Sequence, residues 1–130
     1  MLFLHDDEIR AGLNKVYEKL ESSEILLKSG HYGDSVSISY YVMFTSAKLL
    51  LSLKGIKPKT HAGLMRVFSK EYVHGNDFDQ YIFKKFMDSL TLREQADYDF
   101  QDNINKKIAE DQLKIAKSFV EESLKFLKEI

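Results

Sequence analysis

Apolar residues recur every three to four positions along most of the chain, which is the spacing of an amphipathic helix. The pattern predicts a first helix at about 6–28 and a second at about 32–53, separated at Gly30. The second helix is apolar on two sides, with one stripe of Val36, Tyr40, Met43, Phe44, Ala47, Leu50 and Leu51 and another of Ile38, Tyr41, Val42, Leu49 and Leu53. Such a helix is central to a bundle, or it serves both a core and a partner surface.

The segment "KGIKPKTH" interrupts this helical pattern and introduces a third helix. Gly55 is a helix stop, Pro58 prevents the helix from resuming, and Thr60 suits the N-cap of the next one. The third helix is expected to be short, at about 61–72.

Two longer helices are expected after the third. The fourth is predicted at about 78–98, with Asn76 or Asp77 as its cap, and the last begins after caps within 102–105 and reaches residue 130. No stretch alternates between apolar and polar residues with a period of two for long, as strands would. The sequence therefore predicts an all-α bundle whose antiparallel neighbours are joined by short loops.

Length and composition are typical of one globular domain that spans residues 1–130. The chain has 130 residues, of which 44% are hydrophobic and 30% charged, and it can bury a core without covalent staples. It contains no cysteine, which excludes disulfides, thiolate metal sites and a cysteine nucleophile.

Charge and hydropathy indicate a soluble cytoplasmic protein. The N-terminal residues lack the apolar run of a signal peptide, and the most apolar stretch, at 36–53, is interrupted by serines and a lysine. We therefore expect no association with a membrane. A net charge of −1 gives no overall attraction to nucleic acid or to a lipid surface.

The strong catalytic motifs are absent from the sequence. It has no phosphate-binding loop of the GxxxxGK[ST] type, and neither GxGxxG, HExxH nor GxSxG occurs. The four histidines form no i, i+4 pair, and the chain lacks the two ExxH segments on facing helices that a di-iron bundle needs, so we predict neither a metal site nor a cofactor. By motif alone the chain is not a recognisable enzyme.

The segment "LREQADYDF", residues 92–100, holds the most concentrated polar chemistry of the chain. Arg93 and Asp97 are four residues apart, so they lie on one face of a helix. They could form a simple ion pair, which is worth about a few tenths of a kcal/mol. Alternatively, Arg93 contacts an anion or phosphate while Asp97 fixes its rotamer, and Tyr98 adds a hydroxyl or a stacking surface.

Two further positions allow both a structural and a chemical interpretation. Tyr40 and Tyr41 point about 100° apart on a helix, so one ring is expected in the core and the other on a second surface. His61 either begins the third helix without any chemistry or provides a group that titrates near neutral pH.

These features together resemble the HEPN family (higher eukaryotes and prokaryotes nucleotide-binding), in its small stand-alone prokaryotic branch. The matching pieces occur in order: Gly30 and Tyr32 with Val36; then Tyr40, Tyr41, Met43, Phe44, Ala47, Leu49, Leu50, Gly55, Pro58 and His61; then Arg93, Ala96, Asp97 and Tyr98. The resemblance covers nearly the whole chain.

The resemblance implies an up-and-down bundle of four main helices plus one short helix, paired as a homodimer. It also implies a minimal nucleotidyltransferase as partner, in a toxin–antitoxin-like pair. A nucleotide- or phosphate-binding site would then comprise Arg93, Asp97, Tyr98, His61, Tyr40 and Tyr41. In some such pairs the partner transfers a nucleotide to a tyrosine near the family motif, and Tyr98 lies in the equivalent region.

Many relatives of this kind are metal-independent ribonucleases that place a histidine about four to six residues after the arginine. Here no histidine lies within the seven residues after Arg93. An ordinary aspartate, with a pKa near about 4, is a poor proton donor at neutral pH. We therefore expect a module that binds a nucleotide or phosphate, or that docks a partner. The alternatives are an endoribonuclease that recruits His61 and a purely structural cluster that locks the fourth helix to the last.

Overall fold

The computed structural model describes residues 6–75 and 77–127, and within them it contains helices and no strand. The helices are α1 (Asp6–Lys28), α2 (Tyr32–Ser52), α3 (His61–Phe68), α4 (Gln80–Tyr98) and α5 (Lys106–Leu127), with a π-helical segment, Ser69–His74, after α3. The predicted all-α bundle, with four long helices and one short one, is confirmed. None of the helices in the described residues is both long and apolar enough to cross a membrane.

Local chemistry sets most of the helix ends. Gly30 has a φ of 81°, a left-handed conformation that favours glycine, and it closes α1 as the sequence predicts. The Thr60 side chain accepts a hydrogen bond from the Gly63 backbone N–H at 2.9 Å, which caps α3. Asn105 accepts one from the Ile108 N–H at 2.9 Å at the start of α5. These three signals are readable in the sequence because each acts within one turn of the chain.

The third and fourth helices differ from the predicted bounds. The third was expected to continue to about residue 72, but regular α-helix ends at Phe68 and the π-helical segment follows. The N-cap of α4 is Asp79, which accepts from the Ile82 N–H at 2.9 Å, and not Asp77, which adopts a φ of 63° in the connecting turn. The other predicted cap, Asn76, lies outside the described residues.

α2 is the central helix, which was one of the two interpretations of its double apolar stripe. It packs against α1, α4 and α5, and also contacts α3. Tyr40 and Leu50 on this helix are fully buried, whereas Tyr41 and Phe44 are only partly buried. The two tyrosines thus occupy different environments, as their angular separation predicts.

Serines bring α1 and α2 close together along one seam. The Ser23 hydroxyl lies 2.7 Å from the Ser39 hydroxyl and 3.0 Å from the Ser35 hydroxyl, and it donates to the Ser35 carbonyl at 2.9 Å. Ser35 in turn donates to the Ser23 carbonyl at 2.9 Å. All three side chains are fully buried, and their mutual hydrogen bonds offset the loss of water.

Candidate functional site

Arg93 lies near the end of α4, on the face that packs against α2, and only 8% of its surface is exposed. Its Nη1 donates to Asp97 Oδ2 at 3.1 Å, so the predicted i, i+4 pair forms. Asp97 Oδ1 accepts a second hydrogen bond from Ser37 Oγ at 2.6 Å. Because Ser37 belongs to α2, this chain of polar contacts fixes the guanidinium across two helices.

The guanidinium of Arg93 also lies over two aromatic rings of α2. Its Cζ is 5.4 Å from the centroid of the Tyr40 ring and 5.7 Å from that of Tyr41. The two rings meet edge to face, with centroids 5.2 Å apart. Cation–π attraction of this kind is worth about 0.5–2 kcal/mol and is stronger when water is excluded.

His61, the first residue of α3, joins the same cluster through its ring. The Tyr40 hydroxyl lies 2.6 Å from His61 Nδ1, and the imidazole stacks on Phe44 with centroids 4.5 Å apart and planes 29° from parallel. Burial raises the pKa of Tyr40 and outweighs the lowering effect of the nearby Arg93 charge, while Tyr41 and Glu94 add smaller raising contributions. The phenol is therefore protonated at neutral pH, and it shares a hydrogen bond with Nδ1 whose direction depends on the tautomer of the imidazole.

Two electrostatic effects keep the His61 imidazole neutral. Burial lowers its pKa, and the positive charge of Arg93 lowers it further, while Glu94 acts weakly in the opposite direction. In the neutral tautomer with its proton on Nε2, the ring accepts a hydrogen bond from the Tyr40 hydroxyl at Nδ1.

Arg93 is held as a permanent cation with unused hydrogen-bonding capacity. Burial alone lowers its pKa, but the hydrogen bond to Asp97 and the nearby phenols more than offset this, and the pKa lies above its usual value. Its buried Nε has no hydrogen-bond partner within the described structure. A buried unpaired donor typically costs about 1–3 kcal/mol, which an incoming acceptor would relieve.

Tyr98 is apart from this cluster. Its side chain is 73% exposed at the last residue of α4, and no hydrogen bond or ring contact within the described residues joins it to Arg93. The structure thus brings together Arg93, Asp97, Tyr40, Tyr41 and His61, and leaves the sixth predicted site residue in a separate, accessible position.

Two residues of the cluster were not predicted as part of it. Ser37 orients Asp97, and Phe44 stacks on His61. The sequence does contain a signal for them, since Ser37, Tyr41 and Phe44 follow the i, i+4, i+7 spacing of one helical face. Which neighbouring helix that face meets is not readable from the spacing.

The cluster offers no metal site. In the part of the chain that the structure describes, no three histidine, aspartate or glutamate side chains converge in a way that could hold a metal ion. What it offers is a buried guanidinium, two phenol rings and a neutral imidazole, groups that suit the binding of a phosphate beside a flat ring.

Comparison with known proteins gives consistent matches along the chain. A family model described as HEPN domain matches residues 10–127. Two proteins of Methanocaldococcus jannaschii, each named "Putative toxin", are 36% identical over 92% of this chain and 82% of their own, and 35% identical over 95% and 92%, respectively. A protein of Archaeoglobus fulgidus named UPF0332 protein is 29% identical, over 90% of this chain and 93% of its own.

Proposed function

Because the chain belongs to the HEPN domain family, we propose that it is a toxin-like module that binds a nucleotide or phosphate group through Arg93. It would act as the companion of a minimal nucleotidyltransferase, in a toxin–antitoxin-like pair. The names of the two Methanocaldococcus relatives support the toxin-like part of this proposal. The partner and the pairing rest on the resemblance of the sequence to the family.

The observation that carries the proposal is the way in which Arg93 is held. Ser37 and Asp97 fix one side of the guanidinium, and the rings of Tyr40 and Tyr41 lie beneath it. An arginine that served only as a surface ion pair would need none of these contacts. Fixing the rotamer in advance lowers the entropic penalty of binding a phosphate.

Isothermal titration calorimetry with nucleotides and short RNAs tests the proposal directly. The wild-type protein should bind at least one of them, and Arg93→Ala should weaken that binding by about tenfold or more, because a charge-assisted hydrogen bond is lost. Arg66→Ala is the matched control, since Arg66 is an exposed arginine on α3. Equal affinities of Arg93→Ala and wild type, or no heat with any nucleotide, RNA or partner, would contradict the proposal.

A second candidate function is a metal-independent endoribonuclease, and the position of His61 favours it. Although no histidine follows Arg93 closely in sequence, His61 hydrogen-bonds the tyrosine whose ring lies beneath the guanidinium. An imidazole with a pKa below its usual value is a competent general base near neutral pH. The fold would thereby restore the arginine–histidine pair from two separate helices.

Incubating the purified protein with structured RNA in the presence of EDTA tests this alternative. Cleavage should fall by about 100-fold or more in both Arg93→Ala and His61→Ala, which remove the charge stabilisation and the base. His74→Ala, at an exposed histidine, should leave cleavage unchanged. No cleavage by the wild type, or cleavage that survives both site variants, rules out this activity at the site.

The partner and the assembly need separate experiments. Co-expression with a nucleotidyltransferase encoded beside the gene should yield a complex, and intact-mass spectrometry should show a nucleotide added to wild type but not to Tyr98→Phe. The 73% exposure of Tyr98 makes it accessible to such a partner. Sedimentation equilibrium of the isolated chain tests the homodimer, and a mass of one chain at all concentrations would contradict it.

A further inference from the structure

A groove between the first half of α4 and the middle of α5 encloses a cavity of about 460 Å³. This is within the range of about 300–1,000 Å³ that is typical of small-molecule sites. The residues that line it are Tyr81, Lys85, Asp111, Gln112, Lys114, Ile115 and Ser118. None of them belongs to the Arg93 cluster, so the groove is a second place where this chain could bind a ligand.

Gln112 gives the groove an unused hydrogen-bond acceptor. Its Oε1 is buried and has no hydrogen-bond partner within the described structure. Leaving such a buried group unpaired costs about 1–3 kcal/mol, and no hydrogen bond within the described residues fixes the orientation of its amide. A turn about the terminal side-chain bonds can present the oxygen to a donor in the groove, and a ligand that brings the donor removes the penalty.

The charges around the groove favour an anion. Lys85 and Lys114 line it, and neither has an acidic partner among the described residues. The one carboxylate of the lining, on Asp111, is already paired with Lys107 at 3.1 Å. The two lysines are therefore the charges that a ligand in the groove would meet.

Tyr81 provides a flat apolar surface at the mouth of the groove. Its side chain is 61% exposed, and Lys85 Nζ lies 5.4 Å from the ring centroid. Ile115 adds apolar surface to the lining. A flat ring that packed on Tyr81 would lose water from both surfaces and would lie beside the ammonium group of Lys85.

We propose that this groove binds a small organic anion that carries a flat ring with an N–H donor. The ring packs on Tyr81, the N–H donates to Gln112 Oε1, and the anionic group lies between Lys85 and Lys114. Three different properties of the lining thus specify three parts of one ligand.

Titration of the full-length, ¹⁵N-labelled protein with indole-3-acetate tests the proposal by nuclear magnetic resonance. This probe has the ring, the N–H and the carboxylate, and it should shift the amide signals of the groove residues in a saturable way by about 5 mM. 1-Methylindole-3-acetate lacks the N–H and should bind about tenfold more weakly. Tryptamine keeps the ring and the N–H but is a cation, and it should give no saturable shifts there.

Variants of the lining assign the contacts. In Gln112→Leu, the affinity ratio between the two acetates should fall from about ten to about one, whereas Gln101→Leu, at an exposed loop glutamine, should preserve it. Lys85→Gln should lower the affinity for indole-3-acetate by about fivefold. It should retain the fold, since it changes a side chain at the rim of the groove. The amide spectrum of each variant reports directly whether it is folded.

Three results would overturn the proposal. The first is the absence of saturable shifts at the groove, and the second is shifts confined to the surroundings of Arg93 and His61. The third is an undiminished preference for the N–H probe in Gln112→Leu.

Discussion

At the scale of single residues, the site depends on partners that sequence spacing reveals only in part. The pair of Arg93 and Asp97 was predictable, because residues four apart on a helix always share a face. The hydrogen bond from Ser37 to Asp97 was not, since it depends on how α4 is rotated against α2. Tyr98 was grouped with the site because it adjoins Asp97, yet the next residue on a helix points about 100° away.

Asp97→Asn should destabilise the protein, because it removes the negative charge that faces a largely buried guanidinium. Asp97 is 28% exposed, so we expect a loss of about 1–2 kcal/mol in the free energy of unfolding by urea. The control is Asp111→Asn, which breaks the exposed pair with Lys107 and should change stability by less than about 0.5 kcal/mol. Equal losses in the two variants would mean that the Arg93 pair behaves as a surface ion pair.

His61 should make stability depend on pH in a defined direction. Its pKa is lower in the folded protein, because burial and Arg93 disfavour the imidazolium, so the unfolded chain binds protons more readily. The contribution is fully present above about pH 6.5, the usual value of histidine, and is lost as pH falls through the folded pKa.

Urea unfolding of wild type and His61→Gln between pH 8 and pH 5 measures this effect; the span is about the range in which histidine titrates. The wild type should lose stability relative to the variant as pH falls below about 6.5. His74→Gln, at an exposed histidine, should follow the wild type. Parallel curves for wild type and His61→Gln would show that His61 titrates alike in the folded and unfolded chains.

At the scale of helices, local signals made most of the bounds predictable. Gly30 and Thr60 act through the conformation or hydrogen bonds of adjacent residues, and both were read correctly. The end of α3 was placed too late, because the π-helical segment Ser69–His74 has the composition of ordinary helix. The cap of α4 was placed at Asn76 or Asp77, whereas Asp79 has a similar side chain two residues further on, and its backbone N–H donates to Glu122 of α5 at 3.0 Å, a tertiary contact that spacing does not reveal.

Thr60→Ala should reduce both stability and the order of the site. The variant removes the N-cap of α3, which is worth about 1 kcal/mol, and His61 is the first residue of that helix. We expect the free energy of unfolding to fall by about this amount and the His61 ring signals to broaden. Thr60→Ser keeps the capping oxygen and should resemble the wild type in both measurements; a loss as large as that of alanine would contradict the capping role.

At the scale of the whole molecule, an aromatic core joins the elements that flank the site. Phe119 of α5 is fully buried, and its ring centroid lies 4.9 Å from that of Phe78 and 5.0 Å from that of Phe86 on α4. It also contacts Phe68, the last residue of α3, at 5.8 Å. The positions of Arg93 and His61 therefore depend on a core that neither of them belongs to.

Phe119→Ala should destabilise the protein strongly. Deleting a buried phenylalanine costs about 3–5 kcal/mol, a large part of the total stability of about 5–15 kcal/mol that domains possess. Phe100→Ala is the matched control, since Phe100 is fully exposed in the loop after α4 and should change stability by less than about 0.5 kcal/mol. Thermal and urea unfolding of both variants measure the contrast, and similar midpoints would contradict this account of the core.

The serine seam between α1 and α2 has a consequence for how the protein unfolds locally. Sliding α1 along α2 by one turn, about 5.4 Å, would take Ser23 out of reach of one of its two partners, because Ser35 and Ser39 are themselves about one turn apart, and that buried hydroxyl would lose its hydrogen bond to Ser23. The hydrogen bonds of the serine seam therefore favour one alignment of the two helices. We expect this hairpin to open as a unit, so its backbone amides should exchange with deuterium together and later than those of α3.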